Sequence, residues 1–159
     1  MCLVVAFTVT LAGADEPRLI ETVKSGNVDA VRALLKERVD VNARQGDGAT
    51  ALHWAVHRND GSVVDLLLRA GATPDLADDT GATPLYLACV NRSGPMVERL
   101  LQARANPNAA LVSGETVLMT CARTGEATGV RALLTRGANV NATEPGHHQT
   151  ALMWAAAQS

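Results

Sequence analysis

Four six-residue segments of this chain can be laid over one another without a gap, and their spacing constrains the fold more than any other feature. They are Thr50-Ala51-Leu52-His53-Trp54-Ala55, Thr83-Pro84-Leu85-Tyr86-Leu87-Ala88, Thr116-Val117-Leu118-Met119-Thr120-Cys121 and Thr150-Ala151-Leu152-Met153-Trp154-Ala155, whose starts lie 33, 33 and 34 residues apart. A second series, Val31, Val64, Val97 and Val130, opens a Val-x-x-Leu-Leu pattern at a constant step of 33. Two markers recurring in one phase define a repeated supersecondary unit. Such a unit cannot bury its apolar face alone and becomes stable by stacking on copies of itself.

Local chemistry predicts what each unit contains. Thr50, Thr83, Thr116 and Thr150 are hydroxyl N-caps that open a short first helix. Pro84 follows one cap at the first helical position, where its missing N–H costs nothing. His53, three residues past Thr50, is placed to reach back to the cap. Tyr86, Met119 and Met153 replace it elsewhere, so the polar tie is expected in one repeat. The first helices end near Gly26, Asn59, Arg92 and Gly125, and the second helices carry the Val-x-x-Leu-Leu face. The second helices finish at Gly71 and Gly137, but at Arg38 and Arg104 in the other two units, where a left-handed cap favours Gly. Ser93-Gly94-Pro95 opens one second helix. Gly129 stands beside Val130 where a larger apolar side chain is expected to pack better, which marks that repeat as the loosest.

These residues resemble the ankyrin repeat, whose period is 33 and whose signature is T-P-L-H-x-A. The resemblance implies an all-α solenoid of stacked helix-turn-helix units joined by finger loops. It divides the chain into an N-terminal capping unit at about 15–46, repeats at about 47–79, 80–112 and 113–146, and a partial repeat at 147–159. Ser159 then falls inside a first helix whose partner helix is missing, so an apolar face is expected to be left uncovered and the natural protein to continue, or the sequence to be a fragment. The resemblance also implies a concave protein-binding groove. Carried over position by position, its finger-tip residues are Asp47, Ala49, Asp79, Thr80, Ala82, Ser113, Glu115 and Gln149. The matching first-helix residues are Lys24, His57, Arg58, Val90, Asn91, Arg123 and Thr124. Acidic tips and basic helix ends give the groove two rims of opposite sign, with Arg58 and Arg123 expected to carry much of the binding energy.

Composition narrows the function further. The 159 residues carry a formal net charge of −2, and the aromatic side chains are Phe7, Trp54, Tyr86 and Trp154. Neither a basic surface for phosphates nor a stacking platform for bases follows from that, so nucleic acid is an unpromising partner. Residues 1–14, MCLVVAFTVTLAGA, are uncharged and mostly apolar. They are too short to span a bilayer, which takes about 20 residues, but suit the h-region of a secretory signal ending at Ala12-Gly13-Ala14. A basic n-region is lacking, and the alternative is an uncleaved apolar helix over the first repeat. Export to a periplasm or outside the cell is therefore the first expectation and a cytoplasmic adaptor the second, with no stable membrane insertion once the segment is cleaved.

The remaining polar candidates have modest readings. Cys89 and Cys121 sit in first helices of different repeats and are expected as two buried thiols, because packed helices lie about 8–10 Å apart whereas a disulfide needs Cα atoms within about 7 Å. His147-His148 reads as a solvated loop pair and the two tryptophans as half-core residues. With no nucleophile elbow, phosphate loop or zinc motif, no enzyme activity, cofactor or metal is expected. The expected function is binding an as yet unidentified protein, either as an exported interaction module similar to bacterial exported ankyrin-repeat proteins, or as the regulatory portion of a larger enzyme or channel.

Overall fold

Helices of six to ten residues are marginal in water on their own, so this chain is held by stacking. The computed structural model describes residues 16–157, and the proposed signal segment lies outside them. Among the described residues the elements are α1 (Glu16–Ser25), α2 (Val28–Lys36), α3 (Ala51–His57), α4 (Gly61–Arg69), α5 (Pro84–Val90), α6 (Gly94–Gln102), α7 (Val117–Thr124), α8 (Ala127–Thr135) and α9 (Ala151–Ala156). The first helices α1, α3, α5, α7 and α9 pack in sequence against one another, and each of the first four also packs against its own second helix. This is the all-α solenoid. Each of two fingers is closed on itself by an isolated bridge, Arg44 with Thr50 and Ala110 with Thr116.

One core runs the length of the array. Leu19, Leu52, Leu85 and Leu118 continue it from helix to helix, as do Val31, Val64 and Val97 among the second helices. The expected hydroxyl caps form at some first helices and not at Thr150, whose side chain makes no cap bond. The hydroxyls of Thr83 and Thr116 accept from the N–H of Tyr86 and Met119 at 3.3 and 3.2 Å. Three of the four second helices are capped by Asn27, Asp60 and Glu126 side chains, which accept from backbone N–H groups in their first turns, whereas Ser93 makes no side-chain cap bond to α6. The polar tie recurs where it was not expected: besides His53, the Met119 sulfur accepts from the Thr116 N–H at 3.4 Å. A thioether is a weak acceptor, which is why Met at that position looked incapable of closing the cap.

Left-handed helix ends occur where expected, at Gly26, Asn59, Arg92 and Gly125, and at Arg38 (φ 59°), Gly71, Arg104 (φ 67°) and Gly137. An L-residue with a Cβ is strained there and Gly is not. Arg38→Gly and Arg104→Gly are accordingly expected to stabilise the array by up to about 1 kcal/mol each, less the entropy that Gly adds to the unfolded chain. Urea denaturation reads this directly, and lower midpoints in both variants would mean that the caps carry no strain.

Two expectations about cysteine and glycine are corrected. Cys89 and Cys121 form a disulfide, with Cα atoms 4.7 Å apart, between α5 and α7. The earlier estimate set an axis separation against a Cα separation. Facing Cα atoms are closer than the axes by two helix radii of about 2.3 Å, which leaves about 3.4–5.4 Å. Gly129 is buried, and a Cβ there would lie 2.8 Å from the Cys121 sulfur. The space judged empty is filled by the disulfide, so a larger side chain would overpack it.

Candidate protein-binding groove

Each repeat delivers the same positions to the same side of the stack, so the groove is best described in rows. One row comes from the ends of the first helices: Lys24, His57, Val90 and Arg123, again 33 residues apart. Beneath its two ends lie the half-buried rings of Trp54 and Trp154. The Lys24 ammonium sits 4.6 Å above the Trp54 ring and the Arg123 guanidinium 5.6 Å from the Trp154 ring, both within cation–π range. Lys24 is also paired with Glu21 at 2.7 Å and Arg123 with Glu115 at 3.3 Å. Between these charged ends the row is uncharged at Val90, which is 44% exposed.

The next row serves a different purpose. Arg58 donates to the Lys24 carbonyl at 2.9 Å, Asn91 to the Val56 and His57 carbonyls at 3.0 and 3.1 Å, and Thr124 to the Cys89 carbonyl at 3.1 Å. These three residues, at steps of 33, satisfy the carbonyls that end the preceding first helix. They tie repeats together as well as facing outward, and a substitution at Arg58 therefore changes stability along with any contact.

The finger tips are fixed by short hydrogen-bonded turns. Asp47 accepts from the Ala49 N–H at 2.9 Å, and Asp78 accepts from Thr80 and Ala82 N–H groups at 2.9 and 3.0 Å. The Ala49 N–H bond, with lesser contributions, holds the Asp47 carboxyl below its ordinary range. At Asp78 burial works against ionisation, but the bonds from Thr80 and Ala82 prevail and the carboxyl is also lowered. Successive fingers join through Asp79 N–H to the Asp47 carbonyl at 3.0 Å and Val112 N–H to the Thr80 carbonyl at 2.9 Å. Asp47, Asp79, Thr80, Ser113 and Gln149 are exposed as expected, and Glu115 is half-buried. Ala49 and Ala82 are not available: they are 8% and 4% exposed, because the turn folds them under the tip.

Three features of this face escaped sequence reasoning. Val112, at a finger tip, is 82% exposed. Asn42 bridges to Gly71 and Thr73, Asp75 accepts from the Asn106 N–H, and Asn108 bridges to Gly137 and Asn139. The recurrence of Asn or Asp at 42, 75, 108 and 141 was the signal for this second ladder. The last finger is organised by Glu144, whose carboxylate accepts from the N–H groups of Gly146, His147 and Gln149. The His147 N–H in particular lowers its pKa. His147 and His148 are exposed, as a solvated loop pair should be.

Among the described residues no group of three or more His, Cys, Asp or Glu side chains is placed to hold a metal ion, and no helix is long and apolar enough to cross a membrane. Comparison with known proteins agrees with the geometry. A family model for ankyrin repeats (3 copies) matches residues 19–110 and 92–159. Similar segments occur in the mitochondrial disaggregase of Bos taurus, 53% identical over 62 residues covering 38% of this chain and 9% of that protein. They occur also in the human ankyrin repeat domain-containing protein 40, 40% identical over 62 residues (38% of this chain, 17% of that protein). Osteoclast-stimulating factor 1 of Xenopus laevis is 44% identical over 54 residues, covering 34% of this chain and 25% of that protein. The match thus spans a quarter or less of each of these relatives. Ankyrin repeats generally mediate protein–protein interaction, and by its period, its helix pairs and its family match this chain belongs to the ankyrin-repeat family.

Proposed function

We propose that the chain is an exported protein-interaction module that seats a segment of its partner along the concave face. The observation that carries this reading is the first-helix row, in which exposed Val90 lies between two cation-over-tryptophan pairs. An uncharged centre with charged, aromatic ends has the composition of a binding hot spot and its rim. The inter-repeat hydrogen bonds of Arg58, Asn91 and Thr124 support it, because they pre-organise the surface and reduce what binding must order. Export draws support from the buried disulfide, since such bonds persist in oxidising compartments and are rare in the cytosol.

Crosslinking of the mature protein in its native compartment, followed by mass spectrometry, identifies the partner. Val90→Asp with Val112→Asp is then expected to weaken its binding at least tenfold with little change in unfolding midpoint, since both side chains are exposed. Glu98→Ala with Arg131→Ala, on the second helices, is expected to leave binding intact. The opposite pattern would place the partner on the convex face. A second reading, that the array is the regulatory portion of a longer protein, draws support from relatives in which the matching segment is a small part of the whole. The full reading frame separates the two: further repeats and a stop favour the module, a non-repeat domain the regulatory portion.

A further inference from the structure

We propose that the Cys89–Cys121 bond is a redox-reversible staple that holds the α7/α8 repeat against the α5/α6 repeat and so sets the middle of the groove. The bond joins two first helices whose residues are 32 apart in sequence, and both cysteines are fully buried. The packing around it is made for a bridged pair. Gly129 of α8 leaves the space that the Cys121 sulfur occupies, and a Cβ there would also lie 3.4 Å from Val97 of α6. Beyond Gly129, α8 buries only Leu133, whereas α6 buries five residues including Met96, Val97, Leu100 and Leu101. The bond thus ties the repeat of α8 to a neighbour whose second helix is better buried. The staple also adjoins the binding face. Val90 follows Cys89 directly, Arg123 lies two residues past Cys121, and the Thr124 hydroxyl donates to the Cys89 carbonyl at 3.1 Å.

The reductant is a dithiol. One of its thiolates attacks a bridge sulfur, the S–S bond breaks, and the resulting mixed disulfide is resolved by the second thiolate. The dithiol leaves as a disulfide, and its two protons end on Cys89 and Cys121. Because both sulfurs are buried, exchange requires α7 to lift from α5, so reduction proceeds through local opening of this repeat.

The test uses the full chain and needs no partner. Peptide mapping after alkylation under non-reducing conditions is expected to recover Cys89 and Cys121 in one linked pair. Adding dithiothreitol is expected to lower the thermal midpoint by roughly 10 °C, from the entropy regained by an unfolded loop of this length. Cys89→Ala with Cys121→Ala is expected to start at the lower midpoint and to show no response to dithiothreitol. Hydrogen exchange on the reduced protein is expected to accelerate in α7, α8 and α9 and to stay unchanged in α3 and α4. Unlinked cysteines in the air-oxidised protein, an equal midpoint with and without dithiothreitol, or exchange that rises evenly along the array would each overturn the proposal.

Discussion

Gly81→Ala is expected to destabilise the array by about 2–4 kcal/mol. Gly81 has φ +86°, a region that costs an L-residue about 1–2 kcal/mol. Its added Cβ would also stand 2.7 Å from the Val112 backbone nitrogen and 3.0 Å from two backbone atoms of Leu111. A flexible side chain can move aside at modest cost, but a backbone cannot move without its neighbours. Relief requires the next finger to shift, which strains or breaks the Val112 N–H bond to the Thr80 carbonyl. Gly137→Ala is the control. Its φ is +84° with open space around it, so only the conformational cost of about 1–2 kcal/mol remains. Urea denaturation of both variants gives the comparison. Equal losses would show that successive fingers are not in contact and that the finger row is not one surface.

That dependence between fingers marks the boundary of what sequence could supply. Periodicity carried the fold because apolar and capping residues act within one repeat: Thr83 caps its own helix, and Arg38 and Arg104 take left-handed angles at ends visible in the Val-x-x-Leu-Leu phase. The candidate site was less legible, since its polar residues act between repeats. Arg58, Asn91 and Thr124 were chosen as groove residues from their place in the phase. Nothing local indicated that each would bond a carbonyl about 34 residues earlier. Ala49 and Ala82 were misplaced because a family position says which turn a residue occupies but not which way that turn folds.

The cysteine pair failed for a geometric reason and the finger valine for a different one. Cys89 and Cys121 lie in phase almost to the residue, so their side chains face along the stack, and the two facing surfaces are closer than the helix axes. Val112 was not among the finger-tip positions carried over from the family, which in that finger were Ser113 and Glu115. Its N–H joins the neighbouring finger while its side chain points to solvent. Both cases concern direction, which a one-dimensional phase does not encode.

His53 gives the second large effect, and it couples stability to pH. The Thr50 N–H donates to Nδ1 at 3.1 Å, which fixes that nitrogen as the acceptor. Nε2 therefore carries the proton and donates to the Ala82 carbonyl at 3.0 Å, joining the first helix of one repeat to the finger of the next. His53→Ala leaves the buried Thr50 N–H without a partner and removes one of the two hydrogen bonds to the Ala82 carbonyl, which also accepts from the Asp78 N–H, and is expected to cost about 2–4 kcal/mol. The neutral ring is also the form that the site requires: burial, the largest influence, pushes the His53 pKa below its ordinary 6.5. Above pH 6.5 the ring is neutral in both folded and unfolded chains and its contribution is complete. As pH falls below 6.5 the unfolded chain takes up a proton that the native chain refuses, so stability declines until the lower native pKa is passed. Asp47, Asp60, Asp78 and Glu144 have lowered pKa values, and their contribution is lost at more acid pH, as it falls through their ordinary values of 3.8 for Asp and 4.5 for Glu. Between pH 7 and 5 the loss at this site therefore belongs to the imidazole. Glutamine is the informative replacement, because its carbonyl can accept from Thr50 and its amide donate to Ala82 without titrating. His53→Gln is expected to be less destabilised than His53→Ala at pH 7 and to lose less stability than the wild-type chain down to pH 5. If the wild-type and Gln chains decline in parallel over that range, the buried ring is not the group that senses the proton.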